Sequence, residues 1–173
     1  MKTILKLGVI SAIISLTACQ AQTASAPSVP VKTDVAMALN YQTSLITKRS
    51  AHSVEQTIDR LETAVKAKGL RVFARIDHQA NAAALDLTMP ASTVLIFGSP
   101  KIGSPLMNAV PTIGIDLPVK ALAYEAADGR VYLSYNNPAY LKTRHNVEGE
   151  AALMALAKMT KAAAALTQMA VDE

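Results

Sequence analysis

Asp77-His78 is the only adjacent acid–imidazole pair in the chain. An imidazole held by a carboxylate can act as a general base, a metal or haem ligand, or an anion contact. Neighbouring strand residues point to opposite faces, so the two can share a site only where a strand ends. The plainer reading makes Asp77 a helix cap and gives His78 a structural hydrogen bond. Asp116-Leu117-Pro118-Val119-Lys120 offers a second carboxylate beside an ammonium. A structural ion pair or cap is the simple expectation there; an orienting acid for His78 is the alternative. Gly98-Ser99-Pro100-Lys101-Ile102-Gly103-Ser104 is Gly-bounded like a phosphate loop, but Ser104 stands where the lysine belongs and Pro100 removes an amide donor. A nucleotide loop is excluded, which leaves Lys101 as an anion contact or a solvated turn residue. His52 and His145 fall at expected helix ends, where a cationic imidazole is electrostatically favourable and needs no other role. Tyr124, Tyr132 and Tyr135 decorate strand-like runs, as packing residues or as a pocket wall. No H-E-x-x-H, G-x-S-x-G or G-x-G-x-x-G pattern occurs.

The scaffold that must hold these residues is small and lean. The 173-residue chain is 51% hydrophobic and 17% charged, which excludes wholesale disorder. Its 31 alanines make the true core leaner than that fraction implies. A single cysteine excludes an intrachain disulfide framework. The net charge of +4 is too weak, and too free of basic runs, to mark a nucleic-acid partner.

Periodicity supplies the elements. Residues 40–48 alternate and predict a strand. Ser53-x-x-Gln56 is a capping box, and Val54, Ile58, Leu61 and Val65 form one stripe, predicting an amphipathic helix over 54–68 closed by Gly69. A strand is expected over 70–77 and a short helical turn over 79–85, capped by Asp77 or His78. Thr93 to Phe97 is continuously apolar and reads as a central strand buried on both faces. Residues 98–103 read as a loop and 105–110 as one helical turn begun by Pro105. Asp128-Gly129 between 118–126 and 130–135 signals a hairpin. Asn137-Pro138 opens a helix to about His145. From Glu148 onward alanine, leucine, methionine and lysine favour a helix, either docked or a frayed tail. The order strand, helix, four strands, helix predicts an α+β fold: a curved antiparallel sheet with helices on one face, plus a C-terminal alanine-rich helix.

The N-terminus reads as an address. Lys2 and Lys6 precede a short apolar run from Leu7 to Leu16, too short to span a bilayer. Leu16-Thr17-Ala18-Cys19 resembles the bacterial lipobox, whose cysteine is acylated and becomes the first mature residue. That resemblance implies a signal peptide over 1–18, a lipid on Cys19 and a membrane anchor. Gln20 after the cysteine resembles the default signal for the outer membrane, facing the periplasm. Residues 19–39 then form a flexible tether, 40–147 the folded domain and 148–173 the terminal helix. Removing Lys2 and Lys6 lowers the formal charge to +2, and the anchor consumes the only thiol.

Five ordered motifs carry a further resemblance: Ile76-Asp77-His78, Phe97-Gly98-Ser99-Pro100, Asp116-Leu117-Pro118-Val119-Lys120, Asp128-Gly129 and Tyr135-Asn136-x-Pro138. The series is similar to the bacterial and archaeal family catalogued as domain of unknown function 302, over about Leu45 to Val147. Ser99 and Val119 depart from that family's usual Asn and Leu. The resemblance implies a curved antiparallel sheet of the TATA-binding-protein class, often paired as a homodimer, and no established activity. The expectation is thus a lipid-anchored envelope domain that binds an unidentified small ligand or a partner protein. Asp77, His78, Phe97, Ser99, Lys101 and Asp116 would lie near one cleft. The alternatives are a hydrolase- or lyase-type enzyme using His78 as base with Asp77 or Asp116, or a metal or haem site at His78.

Overall fold

The computed structural model describes residues 44–173, so the expected signal over 1–18, Cys19 and the whole expected tether over 19–39 lie outside the described residues. Five strands form an open antiparallel sheet in the order β1-β5-β4-β3-β2: β1 (Leu45–Arg49), β2 (Arg71–Asp77), β3 (Ser92–Gly98), β4 (Val119–Glu125) and β5 (Val131–Asn136). The helices are α1 (Val54–Ala67), α2 (His78–Ala83), α3 (Pro100–Ala109), α4 (Tyr140–Arg144) and α5 (Glu150–Val171), with a 3-10 turn over Pro111–Ile115. The α+β expectation holds, with additional short helices between the strands. Of the 40–48 strand, the part from Leu45 is described and runs on to Arg49.

Helix α1 forms where the spacing requires it. Ser53 accepts from the Gln56 amide, and the Gln56 side chain accepts from the Ser53 amide, completing the capping box. Its stripe of Val54, Ile58, Leu61 and Val65 is buried on the sheet. Beneath it the central strand β4 presents Ala121 and Ala123, both fully buried. Such small side chains let a helix approach closely without leaving voids. Leu95, Phe97, Leu133 and Tyr135 complete this covered side. Continuous apolarity made β3 look buried on both faces, but its burial alternates, with Thr93, Leu95 and Phe97 inside and Val94 and Ile96 half-exposed on the open side. An antiparallel sheet needs only one dry face.

Of residues 98–103, read as a loop, Gly98 ends β3, Ser99 is the N-cap and 100–103 belong to helix α3, whose N1 proline is Pro100 rather than Pro105. Pro105 lies inside the helix and removes an internal amide bond, a defect of about 3 kcal/mol in an isolated helix. Tertiary burial of Leu106 outweighs that local penalty.

The alanine-rich terminus is a docked helix. Along α5, Leu156, Met159, Ala163, Leu166 and Ala170 are buried, mainly against α1 and α3. Arg60 of α1 donates to the carbonyls of Met169, Ala170 and Asp172 at 3.1, 3.3 and 2.8 Å. Those are among the carbonyls a helix C-terminus leaves without intrahelical partners, and a guanidinium there also opposes the helix dipole. Lys48 adds a bond from Nζ to Ala164 O at 2.9 Å. Leu156→Ala should therefore cost about 2–5 kcal/mol of unfolding free energy in chemical denaturation; a loss below about 0.5 kcal/mol would mean the helix is not part of the cooperative core.

Candidate functional site

The five motifs do not converge on one catalytic cleft. Asp77 accepts from the Ala80 amide at 3.0 Å and caps α2. His78, the first residue of that helix, is exposed, and its side chain makes no hydrogen bond among the described residues. Asp77 pairs with Thr93 at the start of β3, whereas Asp116 precedes Val119, the partner of Phe97 at the other end of that strand. Four residue steps along the strand separate Thr93 from Phe97, about 13 Å. The proposed coupling of His78 to Asp116 is thus absent, and Asp77 is occupied as a cap. No group of three His, Cys, Asp or Glu side chains among the described residues could hold a metal ion.

Asp116 instead meets a histidine that the sequence reading set aside. Its Oδ2 accepts from His145 Nε2 at 2.6 Å and from Arg144 Nε at 2.9 Å. A carboxylate only accepts, so Nε2 carries the proton; in the neutral ring Nδ1 then accepts from the Thr112 hydroxyl at 3.1 Å. The hydroxyl, imidazole and carboxylate resemble a hydrolytic triad in order. However, the 200 Å³ depression beside Asp116 is lined by Arg144, Tyr140 and Asn136 and reaches neither Thr112 nor His145. The cluster is a strap: it ties the 3-10 turn and the segment before β4 to the end of α4. His145 was legible only as a helix-end residue, because its partners lie 29 and 33 positions away.

What the strap positions is an apolar cavity of about 230 Å³ between the end of β3, α3 and α5. Phe97, Gly98, Ser99 and Pro100 form one wall, Leu117, Pro118 and Val119 another. Two of the motifs expected near one cleft therefore face each other. Phe73 closes an edge, standing at a register shift in β2 where the bulge turns an extra side chain out of the ladder. Gly98 matters here: a Cβ would sit 3.5 Å from the Pro118 Cβ, in contact with the opposite wall. Met107 of α3 and Met159, Ala162 and Leu166 of α5 supply the remainder. Phe97 and Ser99 thus line the cavity, whereas Lys101 stands exposed between lining neighbours Pro100 and Ile102, and Asp77 and His78 are remote. Ser99 makes no side-chain cap bond to α3, so no amide is needed at that position for the helix to start. The Lys120 ammonium turns back to the carbonyls of Asp116 and Pro118 at 3.3 and 3.5 Å, bracing the second wall.

The two clear electrostatic perturbations lie elsewhere. Burial lowers the Lys48 ammonium from the usual lysine range, partly offset by Asp172. At the hairpin, the Arg130 amide and then the Tyr132 hydroxyl hold the exposed Asp128 carboxyl below the ordinary carboxylate range.

A five-stranded open antiparallel sheet covered on one side by helices, with an apolar cavity at one end, defines the class of α+β domain. Residues 46–166 match the family described as Domain of unknown function DUF302, and the chain belongs to that family. A crystal structure of an uncharacterized conserved protein DUF302 from Bacillus stearothermophilus superposes with a TM-score of 0.63 at 21% identity, covering 72% of this chain and 96% of that one. Over 111 residues the chain is 43% identical to Fluoride-specific ion channel FluC 1 of Brucella suis and of Brucella abortus. The match covers 64% of this chain but 44% and 41% of those relatives, so the chain spans less than half of their length.

If the strap holds the cavity wall, Asp116→Ala and His145→Ala should each destabilise by about 1–3 kcal/mol. Their double mutant should fall short of the sum by about 0.5–3 kcal/mol in equilibrium unfolding. Strict additivity would remove the pair as a structural unit.

Proposed function

We propose that this protein is a lipid-anchored envelope protein whose folded domain binds a small apolar ligand in the cavity between α3 and α5. The observation that carries the reading is the cavity itself, walled by Phe97, Leu117, Pro118 and Leu166. Apolar walls with few polar groups favour a ligand that gives up little hydration on entry. At about 30 Å³ per water-sized group, the space holds about eight such groups, fewer than a drug-sized ligand needs.

The membrane attachment rests on the lipobox-like Leu16-Thr17-Ala18-Cys19. It draws support from the relatives named as fluoride-specific ion channels, which the chain matches over less than half of their length. A polypeptide held at a bilayer by a lipid and a tether meets apolar molecules at high local concentration. Gln20 directs the lipidated chain to the periplasmic face of the outer membrane.

Two measurements test the two halves separately. In the native host, an alkyne fatty acid should label the protein, and Cys19→Ala should abolish the label; persistent labelling would place the lipid elsewhere and overturn the anchor. In the full chain carrying Cys19→Ser, 1-octanol should shift the methyl resonances of Met107 and Met159. Ala162→Phe, which adds bulk at a half-buried lining position, should weaken octanol binding at least tenfold. Equal binding by that variant would overturn the cavity as the site.

A further inference from the structure

We propose that the ligand is an anionic amphiphile, a free fatty carboxylate of about eight to ten carbons, with its chain in the apolar cavity and its head on a cationic rim. The inference rests on the cavity reading above and adds the identity of the head group. Its basis is the charge around the opening. Five cations stand one residue from lining residues: Arg71 beside Leu70, Lys101 between Pro100 and Ile102, Lys120 beside Val119, Lys158 beside Met159 and Lys161 beside Ala162. Lys120 turns to backbone carbonyls, and on helix α5 Lys158 and Lys161 are each rotated by about 100° from the lining neighbour, which leaves Arg71 and Lys101 as the rim. Neither Arg71 nor Lys101 makes an ion pair among the described residues. Arg71 is held near the opening, its guanidinium carbon 5.2 Å from the centre of the Phe73 ring.

The acids are distributed the other way. Among the described residues Asp116 is the only acid one residue from a lining position, and Arg144 already neutralises it. Uncompensated cations around an apolar slot complement one ligand chemistry, an alkyl chain ending in a negative charge. Long lysine and arginine stems also lie along apolar surface while their heads reach outward, which suits a head group at the mouth. A neutral ligand would gain nothing from this arrangement.

The test compares decanoate with 1-decanol, which share the chain and differ in the charge, by calorimetry on the full chain carrying Cys19→Ser. Decanoate should bind at least tenfold tighter at low ionic strength, with the preference shrinking as salt rises. Arg71→Glu with Lys101→Glu should abolish that preference while leaving decanol affinity within about twofold, and Ala162→Phe should weaken both ligands. Equal binding of acid and alcohol to the unmodified rim overturns the fatty-carboxylate assignment and leaves the cavity reading standing. Failure of both ligands to bind overturns both. If the acylated wild-type chain refuses decanoate that the Cys19→Ser chain accepts, the occupant is the protein's own anchor and the free-acid proposal is wrong. The charge-reversed residues are exposed, so loss of folding is not the expected result; a thermal melt of each variant checks this.

Discussion

Docking of α5 is the contact on which the rest of the structure depends. The sheet and α1 form a two-layer unit, but the layer is thin, because its centre is built from Ala121 and Ala123 and not from large side chains. Leu156, Met159, Leu166 and Val171 add the apolar volume that a lean sheet lacks. Arg60 and Lys48 fix the helix against sliding by bonding its carbonyls, a directional constraint that alanine packing alone does not provide. The same helix contributes a cavity wall, so stability and site share one interface.

That sharing explains why motifs resembling catalytic fragments act as architecture. Asp116 is spent on Arg144 and His145, and Asp77 on the first turn of α2. A carboxylate accepting strong bonds of this kind orients backbone, and here the oriented backbone runs into Leu117 and Pro118. Buried polar atoms elsewhere are equally committed. Ser50 and Thr57 share a hydrogen bond of 2.7 Å, as do Thr47 and Ser134 on the opposite side of the sheet. No buried side-chain nitrogen or oxygen among the described residues lacks a partner. A domain whose polar groups are so fully used offers its apolar space and its free surface charge as the features available for recognition.

Local elements were legible wherever a single segment held the whole signal. The capping box of Ser53 and Gln56, the stripe through Val65, the turn at Gly129 and the cap at Asp77 each depend on residues within a few positions of one another. Helix α3 was misread for the complementary reason: Gly103 and Pro105 break helices locally, and only burial of Leu106 by distant residues reverses the balance. His145 likewise looked idle because nothing nearby in sequence announces Asp116.

The sequence by itself determined the α+β class, the strand order along the chain, the family, and the residue types that could carry charge or apolar contact. Those properties are encoded in periods of two and 3.6 residues and in short motifs, which are local by nature. Only the tertiary structure decided that Phe97-Gly98-Ser99-Pro100 faces Leu117-Pro118-Val119, that the terminal helix closes the space beside them, and that His78 stands apart. Such convergence depends on sheet order and on packing between segments far apart in the chain, where loop closure and burial set the free energy and no local pattern records the outcome.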